Sequence, residues 1–72
     1  MGNMDLMEQK PYDEKTERRM KNFYLSLNEK DRRHYAAIEA DKLGHGGVSY
    51  IAELFNCSRQ TIHSGLKELE KK

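Results

Sequence analysis

A single cysteine among 72 residues leaves no disulfide framework within the chain, and a reducing cytoplasm is the compartment that fits. No apolar run approaches the roughly 18 residues that a membrane span needs, so no membrane partner is expected. The opening MGNMDLMEQK has neither a basic start nor a continuous apolar stretch, unlike a secretory signal, and residues 1–11 read as a disordered tail. Strand signals are missing too, because no apolar/polar alternation survives for four positions. Apolar residues make up 36% and charged residues 35%, which suits one small helical domain with a thin core and a large wet surface. A chain of this length buries only about 60% of its unfolded surface.

Sites for chemistry are equally scarce. His34, His45, His63 and Cys57 share no zinc-ligand spacing, so neither a metal nor any other cofactor is expected. Cys57 as a nucleophile would need a nearby base and an electropositive pocket, and a role filling the corner of a turn suits it better. Gly44, Gly46 and Gly47 follow no strand, so they read as a helix stop and a hinge rather than a phosphate cradle. No small-molecule substrate is indicated.

The informative stretch is Gly47–Glu70, GVSYIAELFNCSRQTIHSGLKELE. Val48, Ile51, Ala52 and Phe55 fall at i, i+3, i+4 and i+7, one face of a helix, and Leu54 widens the stripe. Ala52 is small enough to let a crossing helix approach. Asn56 tolerates the left-handed conformation that ends a helix. Ser58 is placed to cap the next helix. In that helix Ile62, Leu66 and Leu69 face the core, and Gly65 permits close approach. Two short amphipathic helices joined by a tight turn make the pattern of a helix-turn-helix, whose second helix enters the major groove of DNA. The polar face of that second helix offers Arg59, Gln60, His63, Ser64 and Lys67, with no acid from Ser58 to Lys67. Arg and Gln pair bidentately with guanine and adenine edges, and Ser serves either. Arg59, Gln60, His63 and Ser64 are therefore expected at base edges. Ser49, Thr61 and Lys67 are expected at the backbone, helped by helix N-terminal amides, and the capping Ser58 is counted with the DNA-binding residues.

Two helices are expected upstream. One runs from about 13 to 25, with Asp13 as its cap, and it packs on the core through Met20, Phe23, Tyr24 and Leu27. The other spans 29–43 behind Asn28, with Asp31 completing a capping box, and stops at Gly44. Its apolar stripe is Tyr35, Ala36, Ile38, Ala40 and Leu43. With helices at 48–55 and 59–71, the expected architecture is all-α, a three-helix helix-turn-helix domain over residues 12–72 without a wing, plus an N-terminal helix. Net charge is only +1, and acids interleave with the clusters Lys15, Arg18, Arg19, Lys21 and Lys30, Arg32, Arg33, so intrahelical ion pairs are expected for most of these charges.

Leu27–Glu70 resembles the N-terminal segment of the Rhodopirellula-type DDE transposase family of bacterial insertion sequences. The shared features are LNEKDRR (Leu27–Arg33), AA-x-EA (Ala36–Ala40), LGHGGVS (Leu43–Ser49), the pair Ile51-Ala52, SRQTI (Ser58–Ile62) and GLKELE (Gly65–Glu70), within 44 of 72 residues. The resemblance implies a bacterial, cytoplasmic protein that binds double-stranded DNA at the terminal inverted repeats of its own mobile element, ahead of a separate catalytic domain. It carries over best at Arg59, Thr61 and Lys67. The chain departs from the family pattern at Asn56 and Cys57, where Gly and a larger aliphatic are usual, at Tyr50, and at His63 and Ser64, where Arg is common. The missing cations imply weaker phosphate attraction and a different base preference. A DDE site needs three carboxylates holding two metal ions on a mixed α/β domain. The four Asp here (Asp5, Asp13, Asp31, Asp41) sit in expected caps, turns or the tail, so no transferase activity is expected of these residues. Lys71-Lys72 ends the chain without a helix stop signal, as in an excised domain or a truncated product. A homodimer or a catalytic transposase domain is the expected protein partner. Two other readings stay open: a small transcriptional regulator that binds a palindromic operator as a dimer, and a protein-interaction module.

Overall fold

The structure is a computed structural model and describes residues 10–71. The expected tail falls largely on residues 1–9, outside that range. Four helices follow one another: α1 (Glu14–Ser26), α2 (Glu29–Leu43), α3 (Gly47–Phe55) and α4 (Arg59–Leu69). There is no strand among the described residues.

Short polar residues set the boundaries. Asp13 accepts the Thr16 amide at 2.9 Å, Asn28 accepts the Asp31 amide at 2.8 Å, and Ser58 accepts the Thr61 amide at 3.0 Å. Each satisfies a donor that the first turn of a helix leaves free. The bonds from Thr16 hold the Asp13 carboxyl below the usual carboxylate range. Gly44 closes α2 at φ 71°. Asn56 closes α3 at φ 56°, ψ 48°, and it is the non-glycine residue of the described chain with positive φ.

The core is built on α2, whose broadest contacts are with α4 and α3. Ile51 and Ile62 are fully buried between these helices. Full burial of such a side chain contributes about 1.5–3 kcal/mol. The face of α2 that meets them is Ala36, Ala37 and Ala40. Alanine brings backbones close, and glycine completes the approach. A Cβ at Gly65 would stand 2.6 Å from the Arg33 carbonyl oxygen and 2.9 Å from the Ala37 Cβ. One at Gly47 would collide with the Ala40 carbonyl. The hinge expected at Gly46-Gly47 is thus half a seam: Gly46 turns at φ 85°, but Gly47 is buried as the first residue of α3.

The first helix lies over α2 and α3 and is held there in several ways. Met20 is buried, and the Tyr24 ring stacks on Phe55 with centroids 4.3 Å apart. The end of α1 has no basic residue of its own. Arg32 supplies the charge from α2: its Nε donates to the Tyr24 carbonyl at 3.0 Å and its Nη2 to the Leu25 carbonyl at 2.7 Å. A cation there complements the negative end of the helix dipole. The Tyr50 hydroxyl donates to the Glu17 carboxylate, and Tyr12 Oη donates to Glu39 at 3.2 Å.

Five expectations need correction. Ile38, Leu69 and Phe23 are 47%, 41% and 51% exposed rather than core. The seam of α2 follows Ala36, Ala37 and Ala40, and Ile38 lies one residue off it, about 100° around the helix. Leu69 closes the last turn of α4, where few neighbours remain. Phe23 covers the edge of Tyr35, with centroids 5.0 Å apart, instead of entering the core. α4 ends at Leu69 rather than 71, with the Glu70 amide bonded back to the Leu66 and Lys67 carbonyls. Finally, Glu39–Lys42 at 3.4 Å is the lone ion pair within a helix among the described residues. Two other acids bind elsewhere: Glu17 binds Tyr50 and Lys10, and Glu68 binds across to α2.

Candidate nucleic-acid interface

The start of α4 is fixed by its capping. The Ser58 and Thr61 hydroxyls lie 2.9 Å apart, and Ser58 also takes the Thr61 amide. The Ser58 and Thr61 hydroxyls are therefore already held in place by each other. Residues 56–58 make the connection, and Cys57 turns inward against the core. Burial pushes its thiol up, away from the thiolate that a nucleophile needs.

Of the residues singled out from the sequence, Arg59, Gln60, His63, Lys67, Ser49 and Ser58 are exposed, while Thr61 and Ser64 are half-buried. Arg59, His63 and Lys67 recur every four residues and form one outward stripe, with Gln60 beside it. The core face of α4, Ile62 and Gly65 with the partly buried Leu66 at its margin, is turned about 100° away around the helix. Ser64 stands on the shoulder between the two.

The stripe keeps its positive character because of what happens to the first acid of α4. Glu68 turns toward α2, where one carboxylate oxygen takes the Arg33 Nε at 3.0 Å and the His34 Nε2 at 2.9 Å. Hydrogen bonds from His34 and Arg33 hold its carboxyl below the ordinary range. The same contact ties the end of α4 to α2.

Ser49 is brought to this surface by α3. A shallow hollow is lined by Ser49, Ala52, Glu53, Asn56, Ser58 and Arg59, so the exposed side of α3 and the start of α4 form one surface. Two of these residues were not singled out from the sequence. Glu53 and Asn56 are exposed on the rim of the hollow beside Arg59. The signal was available, since Glu53 falls four residues after Ser49 and shares its helical face. Asn56 reads from the sequence as a turn residue alone.

Among the described residues no group of His, Cys, Asp and Glu is placed to hold a metal ion, and no helix is long and apolar enough to cross a membrane. Compared with protein families, curated proteins and solved structures, the chain finds no match.

Proposed function

We propose that α3, the turn at 56–58 and α4 act as a helix-turn-helix that binds duplex DNA sequence-specifically, as the end-recognition part of a transposase acting on terminal inverted repeats. The observation that carries this reading is the outward stripe of Arg59, Gln60, His63 and Lys67 on a helix whose first acid is drawn away by Arg33 and His34. Arg59 and Gln60 sit in the first turn, the part of a recognition helix that reaches base edges. Lys67 is two turns further along, where a phosphate is the natural partner. The resemblance of Leu27–Glu70 to transposase N-terminal segments supplies the terminal repeat as the target. In this reading the chain itself performs no catalysis, and DNA strand transfer belongs to a separate domain.

The test is binding of the domain to a labelled duplex carrying the terminal repeat and to a scrambled duplex, at two salt concentrations. Repeat-selective binding that falls steeply with salt supports the proposal, because each phosphate neutralised contributes about 0.9 to the slope of log K against log salt. Equal binding to both duplexes at low salt would sink sequence recognition. A protein-interaction module is the second reading, favoured by the exposed Phe23 and Leu25 of α1, and it predicts association with little salt dependence.

A further inference from the structure

We propose that the edge of α1 carrying Arg18 and Lys21 is a second phosphate-binding element, so that one duplex is held both by the start of α4 and by α1, with Glu53 between the two. This rests on the DNA-binding reading above and extends the footprint to a helix outside the helix-turn-helix.

The charges on α1 are free to do this. Lys15, Arg18, Arg19 and Lys21 are all exposed, and none joins an ion pair among the described residues. Glu17, the acid with the right spacing to neutralise Lys21, is engaged by the Tyr50 hydroxyl and by Lys10 at 3.5 Å. Glu14 is the remaining acid of the helix. A run of exposed, unpaired cations on one small helix is complementary to a polyanion.

The surface is also continuous. Arg18 and Lys21 line one hollow with Glu14 and Glu17. Lys21 lines the next with Tyr50, Glu53 and Leu54, and a third with Tyr24, Glu53 and Asn56. Glu53 and Asn56 then line the hollow that contains Ser58 and Arg59. Each concavity shares a side chain with its neighbour, from Arg18 to Arg59.

Glu53 sets how a duplex lies on this path. Its carboxylate repels a phosphate, so a strand cannot run directly over it. A groove can, because base edges there include the cytosine amino group, which donates to a carboxylate. Phosphates then fall to either side of Glu53, on Arg18 and Lys21 at one flank and on Ser58 and the α4 N-terminus at the other, which leaves Arg59 to the base edges between them.

The salt dependence of repeat binding tests this. Arg18→Gln with Lys21→Gln is expected to lower the slope of log K against log salt by about 1.8, so that between 50 and 200 mM salt the unaltered protein loses about 12-fold more affinity than the variant. Preference for the repeat over the scrambled duplex stays within twofold, whereas Arg59→Ala loses that preference. Arg18→Lys with Lys21→Arg keeps the original slope. Lys30→Gln with Lys42→Gln removes the same charge away from the path and also keeps it. An unchanged slope in the Arg18/Lys21 variant of a repeat-selective protein overturns the role of α1 and leaves the DNA reading standing. An equal fall in the Lys30/Lys42 variant also overturns it, since net charge alone then accounts for the effect. If the unaltered protein shows no selective binding, the DNA reading itself fails and this proposal fails with it.

Discussion

Replacing Gly65 by Ala is the sharpest probe of the seam between α2 and α4. The added Cβ would stand 2.6 Å from the Arg33 carbonyl oxygen and 2.9 Å from the Ala37 Cβ. The first obstacle is backbone, which cannot rotate away, so the two helices must separate or tilt. Overpacking of this kind costs about 1–3 kcal/mol. Against it stands the helix propensity that Ala gains over Gly, about 1 kcal/mol. The clash wins wherever its cost lies in the upper part of that range, and a backbone-to-backbone obstruction places it there, for a net loss of about 1–2 kcal/mol. Unfolding entropy of about 2.1 cal/mol/K per residue over 72 residues amounts to about 0.15 kcal/mol/K, so Tm should fall by about 7–13 °C. Thermal unfolding followed by helical circular dichroism measures this. Ser64→Ala is the control, since it raises propensity at the adjacent position without the clash, and its Tm should not fall. If Gly65→Ala melts at or above the unaltered protein, α2 and α4 are not in the close contact described, and the placement of the outward stripe falls with it.

Further outcomes follow from individual side chains. Arg59→Ala should cost about 1–3 kcal/mol of binding and relax sequence preference, whereas Lys67→Ala should weaken all duplexes evenly and lower the salt slope by about 1. Equal losses of preference in filter binding or fluorescence anisotropy would mean that this division of labour is wrong. Ser58→Ala removes the cap of α4 and should destabilise the domain by about 1 kcal/mol, read from urea midpoints at unchanged m. Glu68→Gln should destabilise at neutral pH. Because the folded-state value of Glu68 is lowered, its contribution is complete above the ordinary carboxylate value of about 4.3 and is lost as pH falls through the lowered folded value. The Tm gap between Glu68→Gln and the unaltered protein should therefore be present at pH 5 and close as pH falls through the lowered folded value. A gap that persists unchanged below that value would refute the role given to Arg33 and His34.

Local rules in the sequence carried much of the architecture. Asp13, Asn28 and Ser58 mark three helix starts because a short polar side chain reaches the free amides of the first turn, and that needs no knowledge of the rest of the fold. Gly44 and Asn56 mark stops for a similar reason. Capping by Asp31 in return was not found, so only half of the expected box forms. The failures are tertiary. Ile38 looks more apolar than Ala37, yet Ala37 is buried, because a seam closed by Gly65 has room for a methyl group and not for a larger side chain. The pairing of Glu68 with residues 34 and 35 positions away could not be read from helical spacing, and the same holds for Glu17 with Tyr50. Once Glu17 is engaged by Tyr50 and Lys10, Lys21 loses the partner that spacing assigned to it. On the candidate surface, the residues of α4 were legible from periodicity, while Glu53 and Asn56 required knowing which side of α3 meets the start of α4.

The seam of small residues has a consequence for how such a domain can change over time. Contact between α2, α3 and α4 depends on Ala36, Ala37, Ala40, Gly47 and Gly65, where almost any enlargement is obstructed. Arg59, Gln60, His63 and Lys67 touch none of it, and substitutions at such exposed positions shift stability by about 0.5 kcal/mol or less. The domain is rigid where it is joined and free where it faces outward. On the proposed DNA-binding reading, exchanging those four side chains would change the target while the scaffold stays as it is.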